Sequence, residues 1–124
     1  MKVIQTSDAP AALGPYSQAI ISGNFVFTAG QTPLDPATGQ LVGSSITEQT
    51  EQVAKNIKAI LDAAGTSIEK VVKTTCFLTD MKDFSAFNET YAKFFTGKPA
   101  RSTFAVKQLP KDALVEIETV AELG

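Results

Sequence analysis

An α+β fold, a mixed sheet with two helices packed on one face, is what this 124-residue chain predicts. Three observations carry that reading. Short runs rich in β-branched and aromatic residues recur along the chain and read as strands. Two longer stretches instead repeat apolar residues at helical spacing. The helical stretches fall between strands, with hairpins expected at both ends. At this length, near the roughly 100–150 residues of a typical domain, one domain spanning 1–124 is expected, large enough to bury a core without disulfides.

The segment "KVIQ" reads as a short first strand, followed by the loop "TSDAPAALGP". "YSQAII" and "FVFTAGQ", joined by "SGN", read as a hairpin, and "PLDPATGQ" as turn. Ser45 and Glu48 have capping-box spacing at the head of a helix whose stripe is Val53, Ile57, Ile60, Leu61 and Ala64, with Gly65 as its stop. "VVKTTCFLT" reads as a strand, with Cys76 as packing. A second helix starts near Asp83 as a cap, carries Phe84, Phe87, Tyr91, Phe94 and Phe95 toward the core, and ends by Gly97. "RSTFAVKQ" and "LVEIETVA" read as the last two strands.

Alternation adds a spatial expectation. It puts Arg101, Thr103 and Ala105 on one face of their strand, opposite Ser102, Phe104 and Val106, and it groups Val115, Ile117 and Thr119 opposite Glu116, Glu118 and Val120. If the apolar sets lie under the helices, Arg101 and Glu116 share the helix-free face. Phe25 and Phe27 point opposite to Val26, so the sheet is apolar on both sides and a partner subunit is expected over the free face.

Composition excludes several chemistries. The chain has no histidine and one cysteine, which removes the usual zinc ligand sets and any imidazole base. A net charge of −2 speaks against electrostatic nucleic-acid binding. The unpaired Cys76 and the lack of an apolar leader or membrane span predict a cytoplasmic protein. Arg101 is the only arginine beside ten lysines. Its planar fork suits a carboxylate in a way an ammonium does not, although a surface cation is the plainer reading.

The stretches "APAALGPYSQAI", "TAGQTPLDPATG", "NIKAILDAAG", "VVKTTCFLTDMKDF", "FNETYAKFF", "PARSTF" and "LPKDALVEIE", in this order, resemble the RidA/YjgF family nearly end to end. The resemblance implies a chorismate-mutase-like subunit and a homotrimer with a central β-barrel and three clefts between subunits. It further implies a cofactor-independent deaminase that hydrolyses 2-imino or enamine acids, such as 2-aminoacrylate and 2-aminocrotonate, to 2-oxo acids and ammonia. Carried over by position, Arg101 would grip the substrate carboxylate, Glu116 would orient the attacking water, and Tyr16 would sit in the cleft. Gly30 would bring its backbone N–H to the substrate, and Thr103, Phe84 and Asn88 would line the site, Phe84 mostly packing and Asn88 mostly holding loop backbone. Ala29 and Thr103 depart from the best-known deaminating subgroup, which carries serine and cysteine there. Two other readings stay open: a small-carboxylate-binding regulatory module, and a translation inhibitor or ribonuclease.

Overall fold

The structure, a computed structural model, describes residues 1–124. Six strands form one mixed sheet: β1 (Lys2–Ile4), β2 (Ala19–Ser22), β3 (Phe25–Thr28), β4 (Val71–Leu78), β5 (Ala100–Ala105) and β6 (Val115–Glu122). Helices α1 (Ile46–Ala63) and α2 (Phe84–Phe94) lie on one face. The order across the sheet is β1-β2-β3-β6-β4-β5, antiparallel except for the parallel pair β4–β5.

Helix α1 forms where the sequence says it should. The Ser45 hydroxyl accepts from the Glu48 N–H at 3.1 Å, and the Glu48 carboxylate accepts from the Ser45 N–H at 3.3 Å. Such a cap contributes on the order of 1 kcal/mol. Gly65 adopts φ +87°, which lets Thr66 N–H return to Leu61 O and stop the helix. Val53, Ile57, Ile60 and Leu61 are fully buried, each contributing roughly 1.5–3 kcal/mol of burial free energy. Under them lie Val26, Cys76, Leu78, Val115 and Ile117 from the sheet. Helix α2 packs Phe87, Tyr91 and Phe95 onto the same core. Its head differs from expectation. Asp83 makes no capping bond, and Asp80 instead caps a 3-10 turn, Met81–Asp83, that leads into the helix.

Two expectations about the C-terminal strands are corrected. β5 and β6 do not pair, because β4 lies between them, so the second hairpin is absent. The parity of β5 is also reversed. Arg101 and Thr103 register with buried Thr74 and Cys76 and face the helices, whereas Phe104 registers with Phe77 on the open face and meets it edge-on at 5.2 Å. Alternation assigned the apolar set inward, but this sheet is apolar on its open face too. Phe25, Phe27 and Phe104 stay 39%, 45% and 45% exposed there. The β6 parity holds: Val115, Ile117 and Thr119 are buried, and Glu116 and Glu118 face outward. No helix is long and apolar enough to cross a membrane.

Candidate active site

Glu116 projects from the open face of β6 toward the end of β3. There the strand is pinned by Ala29 N–H to Gln18 O and by the reciprocal bonds of Gln31 with Ile117. Gly30, between these anchors, lies directly against the Glu116 side chain. A Cβ at position 30 would collide with Glu116 Oε2 and come within 2.9 Å of Cδ. Glycine is needed at that point because the carboxylate fills the place of its side chain. The Gly30 N–H makes no hydrogen bond within the chain, so it remains available to a ligand.

Tyr16 approaches the same space from the loop before β2. One amide orders that loop. Gln18, 3% exposed, donates from Nε2 to Thr6 O at 3.0 Å, Ala9 O at 3.3 Å and Pro10 O at 2.8 Å, and its Oε1 accepts from Thr6 N–H at 2.7 Å. The opposite wall is held from α1. Buried Asn56 donates to Thr32 O at 3.1 Å and Leu34 O at 3.0 Å. The result is a cleft of about 770 Å³ lined by Tyr16, Ala29, Gly30, Lys111 and Glu116, among others.

Glu116 has no ion-pair partner, since the chain's two salt bridges are Lys58–Asp62 and Lys82–Asp80. Burial, and then the nearby Glu118 charge, hold its carboxyl above the ordinary value. A half-buried carboxylate without a counter-charge destabilises the fold, and such groups concentrate at functional sites.

Arg101 lies elsewhere. Its Nη1 donates to Asn88 Oδ1 at 2.8 Å, and its Cζ stands 4.8 Å from the Tyr91 ring centre, 5.5 Å from Phe84 and 5.9 Å from Phe87. Asn88 therefore holds the guanidinium and not loop backbone, while Phe84 both packs on the core and borders the cation. The guanidinium opens into a hollow of about 540 Å³ that also includes Lys98 and Thr96. No carboxylate of the chain pairs with it. Thr103, two residues along the same face, has a buried hydroxyl with no hydrogen-bond partner. Cys76, beside it, is fully buried, and burial pushes its thiol up to about 11, so it stays a protonated packing group.

The seven candidate residues thus fall into two groups. Tyr16, Gly30 and Glu116 meet in one cleft, whereas Arg101, Asn88, Phe84 and Thr103 gather under α2. Within one chain the groups are apart: β4 separates β5 from β6, roughly 10 Å in strand spacing, and the two charged side chains leave opposite faces of the sheet. Residues that organise these groups escaped the sequence reading. Tyr91 reads as core from its helical stripe and Thr74 as part of a strand, while Gln18 and Asn56 lie within quoted stretches without a role of their own. A glutamine beside a Pro/Gly-rich loop, and an asparagine on an otherwise apolar helix flank, were the available signals for the last two.

No cluster of three or more His, Cys, Asp or Glu side chains is placed to hold a metal ion. The family model described as endoribonuclease L-PSP matches residues 6–123 of the chain. A RutC family protein of Pyrococcus horikoshii is 55% identical over 121 residues, 97% of this chain and 96% of the relative. The 2-iminobutanoate/2-iminopropanoate deaminase of Mus musculus is 48% identical over 124 residues, 99% of this chain and 92% of that protein. Among solved structures, E. coli TdcF with bound serine aligns with a TM-score of 0.93 at 42% identity, covering 98% of both chains.

Proposed function

This chain belongs to the RidA/YjgF family, the one that the endoribonuclease L-PSP model describes, and from that premise we propose that it hydrolyses small 2-imino acids and their enamine tautomers to 2-oxo acids and ammonia. The reaction would run in clefts completed between copies of the chain. One observation carries the proposal: an unpaired carboxylate and an unpaired guanidinium, each seated for a ligand, sit on opposite faces of one sheet. A small substrate needing both groups takes one from each of two subunits. The exposed Phe25, Phe27 and Phe104 of the open face supply apolar area for such an assembly, for which we adopt the family's trimer.

In this scheme Arg101 grips the substrate carboxylate through the N–H groups not used by Asn88. That fixes the adjacent C=N carbon near Glu116 of another copy. Glu116 takes a proton as the water oxygen bonds to the imine carbon, help worth ~10²–10⁴-fold. The nitrogen, protonated in turn, leaves as ammonia while the C–N bond breaks and the C=O bond forms. Where the enamine is bound, C3 first gains a proton, from Tyr16 or the water. The free Gly30 N–H lies beside Glu116, where it can donate to the developing oxygen. The scheme uses only side chains, backbone and water.

The test is a coupled assay in which a threonine or serine dehydratase generates the imine and its decay is followed by ultraviolet absorbance. Faster decay with the wild type and not with Arg101→Ala supports the proposal, and no acceleration on either substrate rejects it. One observation favours a second reading, a carboxylate-binding module. Ala29, at the cleft wall, offers no hydroxyl to water or imine nitrogen. Tight binding of 2-oxobutanoate without imine hydrolysis would select it.

A further inference from the structure

We propose that Tyr91 and Thr74 are positioning residues that hold the Arg101 guanidinium in its carboxylate-binding pose. This rests on reading Arg101 as the substrate anchor. Thr74 is the Cα partner of Arg101 in the β4–β5 register, so both residues start from adjacent points of the sheet. Its hydroxyl, fully buried, lies 2.7 Å from the Tyr91 hydroxyl. The Tyr91 ring is further fixed by stacking on Phe95, with centres 4.4 Å apart and planes 22° from parallel. Against this twice-held ring rests the guanidinium, its Cζ 4.8 Å from the ring centre, nearer than to either phenylalanine.

The remaining freedom of the guanidinium is a rotation over the ring face, and the Asn88 bond to Nη1 removes it. One of five N–H groups is spent on Asn88, which leaves four for a ligand in the hollow that Arg101 lines with Thr96 and Lys98. The anchor is therefore ordered before substrate arrives, so binding does not have to order it.

Stability alone does not account for the Thr74–Tyr91 pair. A valine and a phenylalanine of the same shapes would fill these places without a buried polar pair, and exchanging both partners of such a bond is often nearly neutral. The pair fixes where the ring stands, which matters to whatever leans on it. Burial also keeps the Tyr91 hydroxyl protonated, pushing it above its ordinary value, so the contact persists across the pH range of an enzyme assay.

The experiment compares Tyr91→Phe, Thr74→Val, the double variant and Arg101→Ala in the assembled wild-type oligomeric form. It measures KM and kcat on enzymatically generated 2-iminobutanoate, the Kd of 2-oxobutanoate by calorimetry, and Tm. Each single variant is expected to raise KM and Kd about five- to tenfold with kcat within twofold, the pattern of lost uniform binding. The double variant is expected to recover the Tm lost by the singles but not the affinity. A purely structural pair would give unchanged affinity, or affinity that recovers together with Tm, and either result overturns the inference. If Arg101→Ala leaves Kd unchanged, the anchor reading itself fails and this inference with it. If Arg101→Ala abolishes binding while the Tyr91 and Thr74 variants bind normally, only this inference fails.

Discussion

Replacing Gly30 by alanine tests the proposed role of Glu116 as base most sharply. The added Cβ would overlap Glu116 Oε2 and lie 2.9 Å from Cδ and 3.2 Å from Cγ, where ordinary contact begins near 3.4 Å. Position 30 cannot retreat, because Ala29 and Gln31 on either side are hydrogen-bonded to Gln18 and Ile117. The glutamate must therefore move, its Cδ by about half an ångström and the carboxylate oxygen by more. A misplacement near 1 Å at a reacting group costs on the order of 10²-fold in rate. If the side chain stays in the cleft, overpacking adds about 1–3 kcal/mol of instability; if it rotates into solvent, stability changes little. Both routes lower kcat. The assay is the dehydratase-coupled decay of 2-iminobutanoate, with Glu116→Gln and the double variant alongside. The expected result is kcat down about 100-fold in Gly30→Ala, with little further loss when the substitution is added to Glu116→Gln. A Gly30→Ala enzyme within threefold of wild type would show that Glu116 does not act from its place against Gly30.

Three other outcomes follow from the same geometry. Arg101→Lys should raise KM about tenfold or more, because an ammonium lacks the fork that serves Asn88 and a carboxylate together; near-normal KM in steady-state kinetics would contradict the bidentate reading. Glu116→Gln should lose activity yet gain thermal stability. The folded-state carboxyl is held above its ordinary value of 4.5, so the folded protein binds this proton more tightly than the unfolded chain, and wild-type stability falls as pH rises from about that value through the raised one. The variant lacks that loss, so its Tm advantage should grow across the same window and then level, and a flat difference from pH 4 to 8 would argue against an unpaired Glu116. Ser45→Ala should cost on the order of 1 kcal/mol in denaturant unfolding while leaving kcat/KM unchanged, since the capping box lies outside both halves of the site.

Most elements were legible because local chemistry decided them. Ser45, Glu48 and Gly65 bounded α1 within a residue, and the β-branched run from Val71 fixed β4. Glu116 was placed on the correct face because β6 sets charged Glu116 and Glu118 opposite apolar Val115 and Ile117, which leaves one choice of buried side. Arg101 was not. β5 is an edge strand on a sheet that is apolar on both faces, so the alternation of Phe104 against Arg101 says which residues share a face but not which face is covered. The separation of β5 from β6 was equally beyond reach, since the insertion of β4, from earlier in the chain, between them leaves no local mark. The site residues themselves came from the resemblance. What composition contributed was the isolation of a single arginine, and what it lacked was the aromatic bed of Phe84, Phe87 and Tyr91, whose helical spacing is that of ordinary core.

In the proposed scheme one copy's Arg101 works with another copy's Glu116. Subunit complementation tests it directly. Arg101→Ala and Glu116→Gln, each inactive alone, are unfolded together, refolded as a mixture and assayed on 2-iminobutanoate. In a closed ring with shared clefts, random mixing pairs an intact arginine with an intact glutamate in about a quarter of the clefts, so about a quarter of the wild-type rate is expected. A mixture as inactive as its two components, with mixed oligomers verified by native mass spectrometry, would show that Arg101 and Glu116 of different copies do not share a site.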